Sequence, residues 1–188
     1  RSVVPRANMS SRPELKLDWC SHEAAKYAVE HWHYSKTLPR FKIVRVGVWE
    51  AGVFIGCVLF SNGAAPQSHC PYQIKRTEVC ELTRIALNEH TAPVTRIVRI
   101  AFGFLRRNSP GLRLIISYAD PEQNHHVGIY AGGGWIYSGK TSLCEQFEWC
   151  NSGERVHTKT IKTGRRGYAT KLKSAGVIKA VKVWKHKY

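Results

Sequence analysis

A carboxylate suited to proton transfer follows the most apolar strand-like segment of the chain. The segment covers residues 112–119, and Asp120 comes directly after it, in front of Pro121. A carboxylate at the C-terminal end of such a strand commonly faces a cleft in α/β folds, where it accepts a proton or orients a substrate. The structural alternative is that Asp120 caps the turn before the proline. Ser117 and Asn62 are further candidates to line such a cleft.

Tyr130 is a second candidate, because it lies in a short glycine-rich segment. Gly128 and Gly132 flank it, and glycine allows a ligand to approach the backbone closely. The alternative is a partly buried aromatic side chain whose hydroxyl group is hydrogen-bonded.

Arg84 offers a binding group for an anion. It alternates with the apolar Leu82 in a strand-like segment. Its guanidinium group is suited to hold a phosphate or carboxylate through two parallel hydrogen bonds. The alternative is an ion pair with Glu81 on a neighbouring strand.

His33 and Tyr34 stand together at the end of the first predicted helix. An imidazole titrates near neutral pH and is a candidate general base, and the ring of Tyr34 is suited to stack on a planar nucleobase. The alternative for His33 is a surface side chain that interacts with the helix dipole.

Metal binding has one candidate cluster. His125 and His126 stand near Asp120 and Glu122, and imidazole with carboxylate suits iron, although adjacent histidines on a loop often point apart. The six cysteines are irregularly spaced and form no C-x-x-C pair. We therefore expect free thiols, with a metal or disulfide role as the less favoured alternative.

The predicted elements that position these residues alternate between strands and helices. Ser21 is a suitable cap for a helix, and Thr91 with Pro93 opens another. A strand that feeds a helix N-terminus at residues 88–96 also creates an anion site, which would include Arg96. This order predicts a mixed central sheet flanked by helices. The predicted helices are 22–32, one after Pro93 and 127–131, and the predicted strands are 42–50, 53–60, 78–87, 112–119 and 135–137.

Charge points to an anionic partner. The 188 residues carry a formal charge of +16, and residues 155–188 contain eleven Lys or Arg and no Asp or Glu. Apolar residues are interleaved there, which favours ordered basic strands over a free arm. No apolar run reaches the length of a membrane span, and no basic amphipathic helix is obvious that would suit an anionic membrane surface. Double-stranded DNA is therefore the expected partner, and a membrane is not. The expected DNA-binding residues are Arg155, Lys159, Lys162, Arg165, Arg166, Lys171 and Lys173.

Several motifs recur in order and carry a family resemblance. They are His33-Tyr34-Ser35, Glu81-Leu82-Thr83-Arg84, Ser117-Tyr118-Ala119-Asp120-Pro121, Gly128-Ile129-Tyr130 and Trp135-Ile136-Tyr137-Ser138-Gly139. Residues 31–139 thereby resemble the Mom DNA-modification family of phage Mu type. The resemblance implies a GNAT-like acyltransferase fold and conversion of adenine N6 in phage DNA to a carbamoylmethyl form, which protects the DNA from host restriction.

The resemblance also implies roles for the candidate residues. Asp120, Tyr130, His33 and Tyr34 would be catalytic, and Tyr130 would protonate a leaving group. Arg84, Ser117, Asn62 and Arg96 would bind a small-molecule donor, either acetyl-CoA or a related acyl or glycyl compound. GNAT enzymes carry a Q/R-x-x-G-x-G/A loop for the pyrophosphate, whereas residues 88–96 contain no glycine.

The length predicts one compact domain with a basic extension. We expect residues 1–8 to be a vector remnant, 9–150 the GNAT-like catalytic domain, and 151–188 an extension that belongs to the same domain or forms a DNA-binding subdomain. No signal peptide is visible, which favours the cytoplasm. Two other functions remain open: an acetyltransferase acting on a small amine or a protein lysine, and a non-catalytic DNA-binding module.

Overall fold

The protein is a mixed α+β structure, as the alternation of elements predicts. The computed structural model describes residues 13–39, 42–63, 67–121, 128–153, 155–157, 172–183 and 185–188. In chain order the elements are β1 (Leu15–Trp19), α1 (His22–Trp32), β2 (Ile43–Glu50), β3 (Val53–Ser61), two 3-10 helices (Cys70–Tyr72 and Arg76–Glu78), β4 (Val79–Leu87), α2 (Val94–Asn108), β5 (Leu114–Ala119), α3 (Gly128–Gly132), β6 (Gly139–Lys140), β7 (Cys144–Trp149), β8 (Arg155–His157), β9 (Ile178–Val183) and β10 (His186–Lys187).

The chain forms two compact units. Among the described residues, the first comprises 13–118, 128–136 and Tyr188, and the second comprises 119–121 and 137–187. In the first unit, strands β1 to β5 lie in sequence order, and all neighbours are antiparallel except the parallel pair β4 and β5. No helix in the described part of the chain is long and apolar enough to cross a membrane.

Helices cover both faces of this sheet. Because side chains alternate along a strand, Val58 and Phe60 of β3 join the core around α2, whereas Cys57 and Leu59 join the core around α1. The prediction of a mixed sheet flanked by helices is confirmed for this unit. All six cysteines are free, and burial raises the pKa of the Cys57 thiol to about 12.

The predicted helix α1 is confirmed with its cap. The Ser21 hydroxyl accepts a hydrogen bond from the Ala24 N–H, and the buried face consists of Ala25, Ala28 and Val29. Sequence reasoning missed β1, which pairs with β2 from Leu15 opposite Glu50 to Trp19 opposite Val46. Its alternating Leu and charged residues were the available signal.

The predicted Thr91 cap of α2 is wrong. The N-cap is Pro93, which makes no side-chain capping bond. The carboxylate of Glu50, at the end of β2, instead accepts hydrogen bonds from the Thr91 and Ala92 N–H groups at 2.9 and 2.7 Å. These two bonds lower the pKa of Glu50, and they fix the loop that leads into α2.

The predicted strand at residues 135–137 is also wrong. The Trp135 N–H donates to the Tyr130 carbonyl oxygen at 3.1 Å, and Gly134 has a φ of +72°. The Trp135 ring then meets Phe102 of α2 edge-on, with centroids 5.3 Å apart. This packing holds the segment against a helix, so strand pairing begins only at Gly139 of β6.

The second unit contains the ordered basic strands that the interleaved pattern predicts. Strand β7 lies between β8 and β9 in a three-stranded antiparallel sheet, and β6 pairs with β10. Phe147 of β7 is buried, and the Lys173 ammonium lies 4.9 Å from the centroid of its ring. Lys179 of β9 pairs with Glu148 at 2.7 Å.

Candidate functional site

Strands β4 and β5 of the first unit are paired over only part of their length. Their pairing ends where Leu82 lies opposite Ser117, although β4 continues to Leu87. Beyond that point the two strands no longer hydrogen-bond to each other. On its other edge Ser117 exchanges two backbone hydrogen bonds with Tyr188, at 2.9 and 3.0 Å. Candidate residues on both strands therefore lie at or just beyond the end of the pairing.

Ser117 and Tyr130 come together at this place. Ser117 is only 2% exposed, and its hydroxyl oxygen lies 3.0 Å from that of Tyr130, which α3 carries. The Tyr130 ring stacks on Tyr188 with centroids 4.1 Å apart and meets Trp135 edge-on at 5.5 Å. The phenol is thus held from both sides, and its hydroxyl has a fixed partner.

The surroundings keep the Tyr130 phenol protonated. Burial raises its pKa, the hydrogen bond with Ser117 lowers it, and the nearby Tyr188 and Tyr34 raise it further. A neutral phenol is able to donate a proton and is unable to act as a base. The arrangement therefore fits a general acid. Tyr188 is the partner that sequence reasoning missed, since ring stacking across the fold leaves no local pattern.

Arg84 lies on β4 just beyond the end of the strand pairing. One terminal nitrogen donates to the Thr83 carbonyl oxygen at 2.8 Å. Among the residues that the structure describes, its buried Nε has no hydrogen-bond partner and no carboxylate pairs with it. A buried donor without a partner costs free energy, which makes Arg84 a candidate to bind an anion. The alternative ion pair with Glu81 is not present.

His33 and Tyr34 differ sharply in exposure. His33 is buried, contrary to the expected surface alternative, and Tyr34 is 46% exposed. The Ser35 N–H donates to His33 Nδ1 at 3.0 Å. Because a backbone amide only donates, Nδ1 accepts, and the neutral ring carries its proton on Nε2. Tyr34 is close enough to Tyr130 to affect the pKa of the Tyr130 phenol.

Asp120 lies in the second unit. It is partly buried, and its carboxylate lies 3.6 Å from the Lys185 ammonium, with side-chain exposures of 20% and 35%. The structure thus gives Asp120 a cationic partner within its own unit.

Arg96 lies near the N-terminus of α2, where sequence reasoning predicts an anion site. Its guanidinium donates to the Pro13 carbonyl oxygen at 3.0 Å. A cavity of about 410 Å³ lies beside it and is lined by Pro93, Thr95, Arg99 and Gly132 as well. Arg96 and Arg99 give this cavity two cationic side chains, which makes it a candidate site for an anionic group.

Asn62 lines a different cavity, of about 450 Å³, which Ser117 and Tyr130 do not line.

The described residues contain no group of three or more His, Cys, Asp or Glu that could hold a metal ion. Arg155 lies in β8, and Lys173 is exposed. The other candidates lie outside the described residues, and they are His125, His126, Lys159, Lys162, Arg165, Arg166 and Lys171.

Comparison with known proteins gives one finding about the whole chain. No curated protein is similar enough to this sequence to match it. A sequence model of the Mom protein family, in contrast, matches residues 14–188. The match begins just ahead of β1 and runs through Tyr188, so it includes the strands and helices that carry Ser117, Tyr130 and Arg84. The chain therefore belongs to the Mom protein family.

Proposed function

We propose that this protein is a transferase that converts adenine N6 in double-stranded DNA to the carbamoylmethyl form and so protects phage DNA from host restriction. Membership of the Mom protein family implies DNA modification. The observation that carries the more specific proposal is the neutral Tyr130 phenol, held 3.0 Å from Ser117 where β4 and β5 stop pairing. The mixed sheet with helices on both faces is compatible with a GNAT-like fold.

In this proposal the residues divide the chemical tasks. Tyr130 donates a proton to the leaving group, and Ser117 orients the phenol. Arg84, whose buried Nε has no partner, binds an anionic part of the donor. A glycyl donor would contain both carbon atoms and the nitrogen atom of the carbamoylmethyl group, whereas the acetyl group of acetyl-CoA lacks that nitrogen. Arg96 and the cavity at the start of α2 fit phosphate groups of the donor.

The target adenine has to leave the duplex, because its amine is out of reach of a pocket while the base is stacked and paired. Exposed Tyr34 is placed to stack on the extruded base. The catalytic role of Asp120 rests on the family resemblance, and the basic second unit contributes phosphate contacts, including Lys173. A role for iron is also a proposal. The described residues contain no group of three or more His, Cys, Asp or Glu that could hold the metal ion.

The test is mass spectrometry of nucleosides from DNA of cells that express the full chain. We expect a modified deoxyadenosine with the wild type and at least a hundredfold less of it with Tyr130→Phe, because positioned proton donors contribute about 10²–10⁴ in rate. The matched control is Tyr27→Phe, which removes the hydroxyl of a tyrosine exposed on α1.

Unmodified adenine from folded wild-type protein that binds DNA would support the non-catalytic alternative. Acetyl transfer to an amine without DNA would support the acetyltransferase alternative. Either result contradicts the proposal.

A further inference from the structure

Helix α2 and the turn after it carry a concentration of positive charge, and the proposed donor site uses only its N-terminal end. From His90 to Ala119 the chain contains five arginines and no Asp or Glu. Of these, Arg99 and Arg106 are exposed and form no ion pair within the described residues. Arg113, which precedes β5, is 64% exposed and pairs with Glu78 at 3.5 Å. This part of the first unit is therefore strongly cationic.

The arginines surround a groove. A cavity of about 340 Å³ lies between α2 and the start of β5, and its lining combines Arg99, Arg106 and Arg113 with the apolar Phe102, Leu114 and Ile115. Arg99, Phe102, Gly103 and Arg106 share one face of the helix because they are spaced by three, four and seven residues. The groove thus combines cationic with apolar side chains.

Gly103 leaves the backbone of α2 uncovered at this groove. It lies in the interior of α2 and lines the cavity. Glycine in a helix interior is destabilising relative to alanine. A Cβ atom at this position would meet only the end of the Arg107 side chain, at 3.6 Å, among the described residues. Packing within the chain therefore does not require glycine here, whereas close approach of a ligand to the helix backbone would.

The spacing of the cations favours a polymer over a single phosphate. Arg99 and Arg106 are seven residues apart, which is about 10.5 Å along a helix axis. No single phosphate reaches both arginines over that distance, whereas the repeated phosphates of a duplex DNA strand do. The apolar lining between them suits the deoxyribose carbons.

We infer that the groove of α2 binds the sugar-phosphate backbone of duplex DNA, with Arg99, Arg106 and Arg113 on the phosphates and Gly103 under the backbone. The inference rests on the proposed function only in taking duplex DNA as the substrate. It adds a DNA contact on the first unit to those expected from the basic C-terminal strands. Because this contact is with phosphates, it contributes affinity and positions the protein on the duplex without sequence preference.

The test measures binding of the purified full chain to a fluorescently labelled 20-base-pair duplex over a range of salt concentrations. Each phosphate contact contributes about 0.9 to the slope of log affinity against log salt. We expect the slope to fall by about 0.9 in Arg106→Gln and by about 1.8 in Arg99→Gln/Arg106→Gln. The charge-matched control is Lys16→Gln/Lys26→Gln, which removes two exposed lysines from β1 and α1 and should leave the slope unchanged.

Two variants of Gly103 separate binding from folding. Gly103→Ala should raise the melting temperature by roughly 2–4 °C, because alanine is the better helix former. Gly103→Leu should fill the groove and weaken DNA binding about tenfold or more while the melting temperature is kept. A wild-type slope in the arginine variants, an equal loss in the lysine control, or wild-type affinity in Gly103→Leu would each overturn the inference.

Failure of the groove inference and failure of the proposed function give different results. Absence of modified adenine in cells that express the wild type contradicts the proposed function and leaves the salt slopes as the measure of the groove. Failure of the wild-type chain to bind duplex DNA contradicts both.

Discussion

The hydroxyl oxygens of Ser117 and Tyr130 lie 3.0 Å apart, and they join the buried strand β5 to the short helix α3. This hydrogen bond opposes the effect of burial, because it lowers the pKa of Tyr130 while burial raises it. The bond therefore makes the phenol a stronger acid than its buried position alone would allow.

Ser117→Ala should reduce adenine modification without abolishing it. The phenol stays in place, stacked on Tyr188, but its pKa rises because the stabilising bond is lost. We expect a loss of about tenfold in modified deoxyadenosine, against a hundredfold or more for Tyr130→Phe. The free energy of unfolding should fall by about 1 kcal/mol, the net value of one such bond.

Ser61→Ala is the matched control, since Ser61 is a similarly buried serine whose hydroxyl accepts from the Gly63 N–H. It should show the stability loss alone. Equal modification by wild type and Ser117→Ala would argue against a role for this bond in catalysis.

The raised pKa of Tyr130 also predicts a pH dependence of stability. The phenol binds its proton more tightly in the folded than in the unfolded state, so it stabilises the fold below the unfolded pKa of about 10. That stabilisation is lost as the pH rises from about 10 through the folded pKa. Urea unfolding between pH 8 and pH 11.5 should show a steeper alkaline decline for wild type than for Tyr130→Phe. Parallel curves would contradict the assigned shift.

Local sequence patterns predict an element correctly where its contacts lie within a few residues. They fail where residues distant in the sequence determine the local structure. Ser21 caps α1 through a residue three positions away, and the sequence pattern predicts that helix correctly. Thr91 satisfies the same local rule, but the Glu50 carboxylate from β2 takes up the free N–H groups of that loop. Tyr188 was missed as a site residue for the same reason, since it reaches Ser117 and Tyr130 through tertiary contacts alone.

Arg84 should be dispensable for folding and necessary for modification. Its buried Nε has no partner, so Arg84→Met removes a desolvated donor and keeps a side chain of similar length. We expect the free energy of unfolding to change by no more than about 1 kcal/mol, because removal of the unpaired Nε offsets loss of the bond from the guanidinium group to the Thr83 carbonyl oxygen. Modification should be lost, because methionine binds no anion. Arg84→Lys should restore little of it, since a lysine lacks the planar fork.

Arg45→Met provides the control for this comparison. Arg45 is a partly buried arginine of β2, and its Nε does have a partner, the Cys20 carbonyl oxygen at 3.4 Å. Its replacement should therefore lower the free energy of unfolding. A clear destabilisation in Arg84→Met as well would show that Arg84 stabilises the fold, and the argument for an external anion would fail.

The ion pair between Asp120 and Lys185 allows the two roles of Asp120 to be separated. The side chains are 20% and 35% exposed and 3.6 Å apart, so the pair should contribute no more than about 1 kcal/mol to stability. If Asp120 orients the adenine amine, Asp120→Asn should lower modification at least a hundredfold, whereas Lys185→Met should change it by less than about fivefold. Nucleoside mass spectrometry and urea unfolding of both single variants and the double variant make this comparison. Similar losses of modification in the two single variants would show that the pair acts by holding the second unit together, because removing either partner breaks the same contact.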